Sequence, residues 1–103
     1  MIEVTAAIHL LRTDEGGRQS FVFSGYRPNI CFGGDVYADG AVTFSDREKL
    51  FPGDTWQVKI RFPHPECVNA CLMTGKTFDI HEGRRKVGEG TILAVQDMVT
   101  PVS

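Results

Sequence analysis

Three adjacent cations, Arg84-Arg85-Lys86, lie in a glycine-rich frame made by Gly83, Gly88 and Gly90. Glycines let backbone N–H groups approach an anion closely, and clustered positive charge adds Coulomb attraction, so the string suits a phosphate. It equally suits a solvated hairpin tip kept soluble by its charge. Residues 70–77 (ACLMTGKT) come close to a phosphate-binding loop, with Ala70 in place of the first glycine. A working loop of that kind needs a helix behind it to aim its N–H groups. Thr77–His81 alternates instead as a strand, so neither GTP nor ATP is expected to bind. His64, Cys67, Cys71 and His81 have the spacing H-x2-C-x3-C-x9-H, a donor set that zinc accepts in a tetrahedron. Free thiols or a Cys67–Cys71 disulfide are the alternatives, and a folded β domain needs no metal for stability. No metal or other cofactor is therefore expected. Cys31, between Ile30 and Phe32, is expected to pack in the core. No nucleophilic elbow, H-E-x-x-H string or paired carboxylates with a pocket of their own occur, so the chain is not expected to be an enzyme.

The elements that must hold these residues are strands. No long window repeats apolar residues at helical spacing with caps at both ends. Ile2, Val4, Ala6, Ile8 and Leu10 alternate with Glu3, Thr5, Ala7 and His9, which puts His9 on the wet side. Trp56, Val58, Ile60 and Phe62 share one face, while Thr55, Gln57, Lys59 and Arg61 share the other. Phe78 and Ile80 alternate with Thr77, Asp79 and His81, and a last strand runs over about residues 90–99. Trp56 and the seven phenylalanines are expected to fill the interior first, and to serve as stacking platforms only where exposed. Gly16-Gly17, Gly33-Gly34 and Pro52-Gly53-Asp54 mark turns, and Asp39-Gly40 suits a type I′ hairpin. The expectation is one all-β domain over residues 1–103, a barrel or sandwich of about six strands.

Composition narrows the function classes. With 103 residues the chain has room for one domain, at roughly 150 residues per domain. Apolar residues make up 42% and charged ones 23%, so the chain can bury a core and gross disorder is excluded. Eleven basic against thirteen acidic residues leave a net charge of −2, unlike the overall basic footprint of a freely acting nucleic-acid binder. A local basic patch remains compatible with that balance. No stretch reaches the roughly 20 apolar residues that span a bilayer, so no membrane role is expected. The opening residues lack a basic leader, and three cysteines make no disulfide framework, which together point to the cytoplasm.

Several strings in register carry a resemblance. They are Asp14-Glu15-Gly16-Gly17-Arg18, Gly25-Tyr26-Arg27-Pro28-Asn29, Gly34-Asp35-Val36, Phe51-Pro52-Gly53-Asp54, His64-Pro65 and the stretch from Phe78 to Gly90. In this order, over about residues 2–97, the chain resembles the third, C-terminal β-barrel domain of bacterial elongation factor Tu. The resemblance implies a six-stranded antiparallel Greek-key-type barrel that contacts the T-stem backbone of tRNA. It also implies surfaces for a GTPase domain and for a nucleotide-exchange factor. The family's nucleotide sits on that GTPase domain, which these 103 residues cannot also hold.

Carried over by position, Arg18 matches the arginine of the Gly-Gly-Arg string, and Glu82 and Gly83 match the pair beside the RNA backbone. Arg85 matches the arginine of the glycine-rich loop. Arg84 replaces a glycine there, and Lys86 replaces a small polar residue. Asn29 stands where a glutamine is usual, and Tyr37 where a threonine contacts RNA. His64 occupies a position from which some members send a basic side chain toward phosphate. An insertion of four residues falls within Glu66–Thr74 and carries Cys67 and Cys71. The RNA-binding set implied is Arg18, Asn29, Glu82, Gly83, Arg84, Arg85 and Lys86, with Glu82 accepting from a ribose 2′-hydroxyl. Its ligand would be tRNA-like RNA. The alternative is a protein-interaction domain that kept the barrel and lost RNA, docking on a GTPase domain, an exchange factor or another copy of itself.

Overall fold

A computed structural model describes residues 1–97. Nine strands occur among them: β1 (Ile2–Leu10), β2 (Val22–Phe23), β3 (Asn29–Cys31), β4 (Tyr37–Asp39), β5 (Ala41–Thr43), β6 (Lys49–Leu50), β7 (Thr55–Phe62), β8 (Thr77–Glu82) and β9 (Arg85–Asp97). The last expected strand thus begins earlier than about residue 90, and residues 98 and 99 lie outside the described residues. Helical structure among the described residues is limited to single 3₁₀ turns at Thr13–Glu15, Pro65–Cys67 and Asn69–Cys71.

Seven strands form one antiparallel sheet in the order β4-β3-β8-β9-β1-β7-β5, and β2 pairs with β6 apart from it. The three longest strands lie side by side, β1 between β7 and β9. Period-2 alternation turns Val4, Ala6, Ile8 and Leu10 of β1 inward, with Val58, Ile60 and Phe62 of β7. Each large side chain buried this way stabilises the fold by roughly 1.5–3 kcal/mol relative to exposure. Glu3 is the buried exception, 8% exposed. Its cross-strand neighbour Arg61 donates to it at 2.8 Å, and Lys59 lies 3.9 Å away, so its charge is compensated.

The expected Asp39-Gly40 hairpin does not form, because β4 pairs with β3 and β5 pairs with β7. A type I′ turn needs two residues at positive φ, and neither Asp39 nor Gly40 adopts one. The chain instead runs straight over the core at Gly40, linking the two edges of the sheet. A Cβ on Gly40 would lie 2.6 Å from Cγ2 of Ile60 and 2.8 Å from Cγ1 of Ile30, so only glycine passes. Val42 of β5 then exchanges backbone hydrogen bonds with Gly25 and Tyr26, just ahead of β3, and the sheet nearly closes into a barrel. The two strands expected to pair across Asp39-Gly40 thus lie at opposite edges of the main sheet, which has seven strands rather than six.

Side-chain placement corrects further expectations. Phe62 and Phe78 are buried and Trp56 is only half-buried, with the Arg47 guanidinium 4.9 Å from its ring centroid. Phe23 and Phe51 are 52% and 47% exposed, since they flank the short β2–β6 pair rather than the main sheet. Cys31 is not in the core: Ile30 takes the inward position on β3, and alternation sends Asn29 and Cys31 outward. The insertion forms the two consecutive 3₁₀ turns, anchored by the buried Val68 and Leu72.

Candidate functional site

The cationic string occupies the tip where β8 returns as β9. Glu82 and Arg85 are the last paired residues, leaving Gly83-Arg84 as a two-residue turn. Gly83 has φ 61 and Arg84 does not share that sign, the pattern of a turn whose first central residue must be glycine. A register shift between Ile80 and His81 leaves Val87 as an extra residue on β9. The bulge turns Val87 into the core and Lys86 outward.

The loop over residues 11–20 lies against this tip. Its 3₁₀ turn closes as the Glu15 carboxylate accepts from the Arg12 backbone N–H at 2.9 Å, and the Leu11 N–H donates to the Val87 carbonyl at 2.9 Å. Arg85 reaches back across it. Its Nε donates to the Gly16 carbonyl at 3.0 Å, and its Nη2 donates to that of Gly17. Arg18 donates through Nη1 to Oε2 of Glu82, and its guanidinium lies 5.4 Å from the Tyr26 ring centroid. The Tyr26 hydroxyl donates to the same Glu82 oxygen. Burial, with Glu82 as acceptor beside it, pushes the Tyr26 phenol well above the ordinary tyrosine range.

The expected residues therefore gather at one end of the barrel, but most are already engaged. Arg18, Glu82 and Arg85 bond to each other's elements. Lys86 lies 3.2 Å from Glu89 and 3.3 Å from Asp79, and these acids hold its ammonium pKa above the usual value. Arg84, at the apex, is exposed and makes no hydrogen bond or ion pair among the described residues. Asn29 stands opposite His81 on the neighbouring strand.

Beside the tip, the outer face of β4, β3 and β8 forms a groove of about 800 Å³ that reaches from the Gly33-Gly34 turn to Arg84. Cys31, Tyr37, Asp79 and His81 line it together with Asn29. Burial first, then the nearby Asp79 carboxylate, raise the Cys31 thiol pKa, so the thiol stays protonated at neutral pH. Reading the motifs one by one missed this cluster and missed Tyr26. Alternation along β3 and β8 contained the signal for Cys31 and Asp79, whereas nothing local pairs Tyr26 with Glu82.

The other chemical strings are not assembled. Among the described residues no three His, Cys, Asp or Glu side chains are grouped to hold a metal, and Cys67 and Cys71 are free thiols. The phosphate-loop-like string is tied into the sheet: the Gly75 N–H donates to the Ile92 carbonyl at 2.8 Å, and the Lys76 carbonyl accepts from the Ile92 N–H at 2.9 Å. His9 sits on the outer side of β1, its Nδ1 hydrogen-bonded to the Thr55 hydroxyl at 2.9 Å.

Comparison against known families adds to this geometry. The family model described as the elongation factor Tu C-terminal domain matches residues 1–96. With nearly its whole length matched, this chain belongs to the elongation factor Tu C-terminal domain family.

Proposed function

We propose that the chain is a non-enzymatic, translation-factor-like binding module acting in the cytoplasm, and that the β8–β9 tip contacts an RNA backbone of the tRNA T-stem type. Arg84 carries the reading: it is the one arginine of the tip left without a partner among the described residues, at the apex of a turn that projects it. Arg18, Glu82 and Arg85 hold the tip in shape, and Asn29, Gly83 and Lys86 border it. One strong cation and one shared one make for weak, salt-sensitive binding. The slope of log K against log salt is then roughly −1 to −2, at about −0.7 to −0.9 per phosphate neutralised.

The test is titration of unmodified tRNA and a matched DNA hairpin near 50 mM and 200 mM salt, wild type beside Arg84→Ala. Arg84→Ala is the clean variant, because replacing Arg85 also releases the loop over residues 11–20. The expected result is binding that Arg84→Ala weakens across sequences, with a slope shallower by about 1. No tRNA binding at the lower salt, or equal binding by the variant, overturns the reading. The second reading, a protein-docking domain, is favoured by the exposed Phe23 and Phe51 packed around Phe21, with Lys49 Nζ 4.4 Å from the Phe21 centroid. Loss of binding to a protein partner on Phe23→Ser, with tRNA unbound, selects it.

A further inference from the structure

At the end of the sheet away from the tip, β9 outruns its neighbour β8. Ile92 is the last residue of β9 bonded on that side: its N–H donates to the Lys76 carbonyl at 2.9 Å, and its carbonyl accepts from the Gly75 N–H at 2.8 Å. Beyond it, residues 93–97 pair with β1 alone among the described residues. The direction of their free groups follows from β1. The Leu10 N–H and carbonyl bond to Asp54 and Gly53 on the β7 side, whereas the Leu11 N–H donates to the Val87 carbonyl on β9. Backbone groups alternate sides along an antiparallel strand, and β1 keeps one unshifted register with β7. Val4, in phase with Leu10, therefore turns to β7. Val95 stands opposite Val4, so its own N–H and C=O point out of the open edge.

Strand edges are commonly guarded by charge, yet residues 91–96 (TILAVQ) carry none, and Leu93 and Val95 are 43% and 39% exposed. An extended strand is the protein partner that takes up a free N–H and C=O from one residue together. Side-chain sizes select which strand. An antiparallel copy of β9 with the two-fold axis at Val95 sets Val95 against Val95, apolar to apolar, and exchanges both backbone bonds. The same register sets Ala94 opposite Gln96 of the second copy. Ala94 is small and lies in a groove of about 290 Å³, lined also by Glu3, Thr5 and Gln96, which has room for the longer amide. Symmetry repeats this fit on the other side of the axis. From this complementarity we infer that the β9 edge joins two copies of this chain into one continuous sheet. The incoming strand takes the line of β8 where β8 has not yet begun. So short an edge makes a contact below the roughly 1,200 Å² of standard interfaces, and the dimer is weak. Each tip stays free about 30 Å from the axis, at roughly 3.3 Å per residue of β9, so the pairing is independent of what the tip binds.

The experiment is sedimentation velocity of the full chain from about 10 μM to about 1 mM, wild type beside Val95→Lys, Val95→Glu and Phe23→Ser. Wild type is expected to pass from monomer to dimer with a midpoint on the order of 0.1 mM, the range of a small interface. Val95→Lys and Val95→Glu each place two like charges together at the axis, and each alone is expected to weaken the dimer about ten-fold. Mixed in equal amounts, the two are expected to associate at about wild-type strength, because opposite charges then meet. That recovery, with unchanged urea midpoints, shows that both variants fold. Phe23→Ser is expected to dimerise as wild type does. A wild type that stays monomeric throughout overturns the inference, as does equal dimerisation by Val95→Lys. Failure of the mixture to associate overturns the axis at Val95 and the complementarity on which the inference stands. Loss of the dimer in Phe23→Ser moves the contact to the β2–β6 pair and overturns it too.

Discussion

The two sides of the β8–β9 tip use similar residues to opposite ends. On the side facing the loop over residues 11–20, a carboxylate, two arginines and a phenol satisfy one another: Arg18 and Tyr26 converge on Glu82, and Arg85 holds the Gly16 and Gly17 carbonyls. On the side facing the groove, Arg84 has no partner among the described residues and stands at the rim above a floor of Asn29, Cys31, Asp79 and His81. Arg84 and Arg85 are adjacent in the chain, yet Arg85 is committed to holding the fold and Arg84 is exposed without a hydrogen bond or ion pair among the described residues. The lesson is that a run of cations measures charge, whereas availability depends on which partners the fold brings to each one.

Breaking the committed side should have the largest effect. Glu82→Ala leaves the Arg18 guanidinium and the Tyr26 hydroxyl without their shared acceptor in a partly buried site. The expected loss is about 2 kcal/mol in urea unfolding, reduced from fully buried values because both ion-pair partners keep some solvent contact. A loss under about 0.5 kcal/mol would remove the distinction between the two sides.

Alkaline titration sharpens the same contrast. The Tyr26 phenol has a folded-state pKa above its unfolded value near 10, so its contribution is fully present below about pH 10 and declines as pH rises above it. In that window the unfolded chain binds fewer protons than the native one, so stability must fall with pH. Lys86, held up by Glu89 and Asp79, adds a decline of the same sign. Urea midpoints from pH 9 to 11 should therefore drop, and Tyr26→Phe should flatten part of the slope. A slope identical in Tyr26→Phe would show that the phenol is not engaged.

The smallest effects separate the adjacent arginines directly. Arg85→Ala should cost about 1 kcal/mol and speed amide exchange at residues 11–17, because two loop carbonyls lose their donor. Arg84→Ala should change stability by less than about 0.5 kcal/mol. Equal costs for the two would mean that Arg84 is also structural, and its place in the RNA reading would go.

Much of this was legible along the chain. The inward residues of β1, β7 and β8 follow from alternation, because the pleat ties side-chain direction to position before any partner strand is chosen. The strings from Asp14-Glu15-Gly16-Gly17-Arg18 to the stretch ending at Gly90 point to the family, since their order survives whatever the pairing does. Gly40 was misread for a physical reason: Asp-Gly is equally a turn signal and a place where one chain crosses close over another, and local sequence does not tell them apart. Cys31 was misread because its apolar neighbours outweighed the alternation that sends it outward.

By itself, then, the order of residues determined an all-β chain, its family and the end of it where charge collects. Only the tertiary structure decided which of those charges are spent. Glu82 lies 64 residues from Arg18, and Arg85 lies 69 from Gly16. Ion pairs and hydrogen bonds form by distance in space, and those separations close only when the loop over residues 11–20 folds onto the β8–β9 tip.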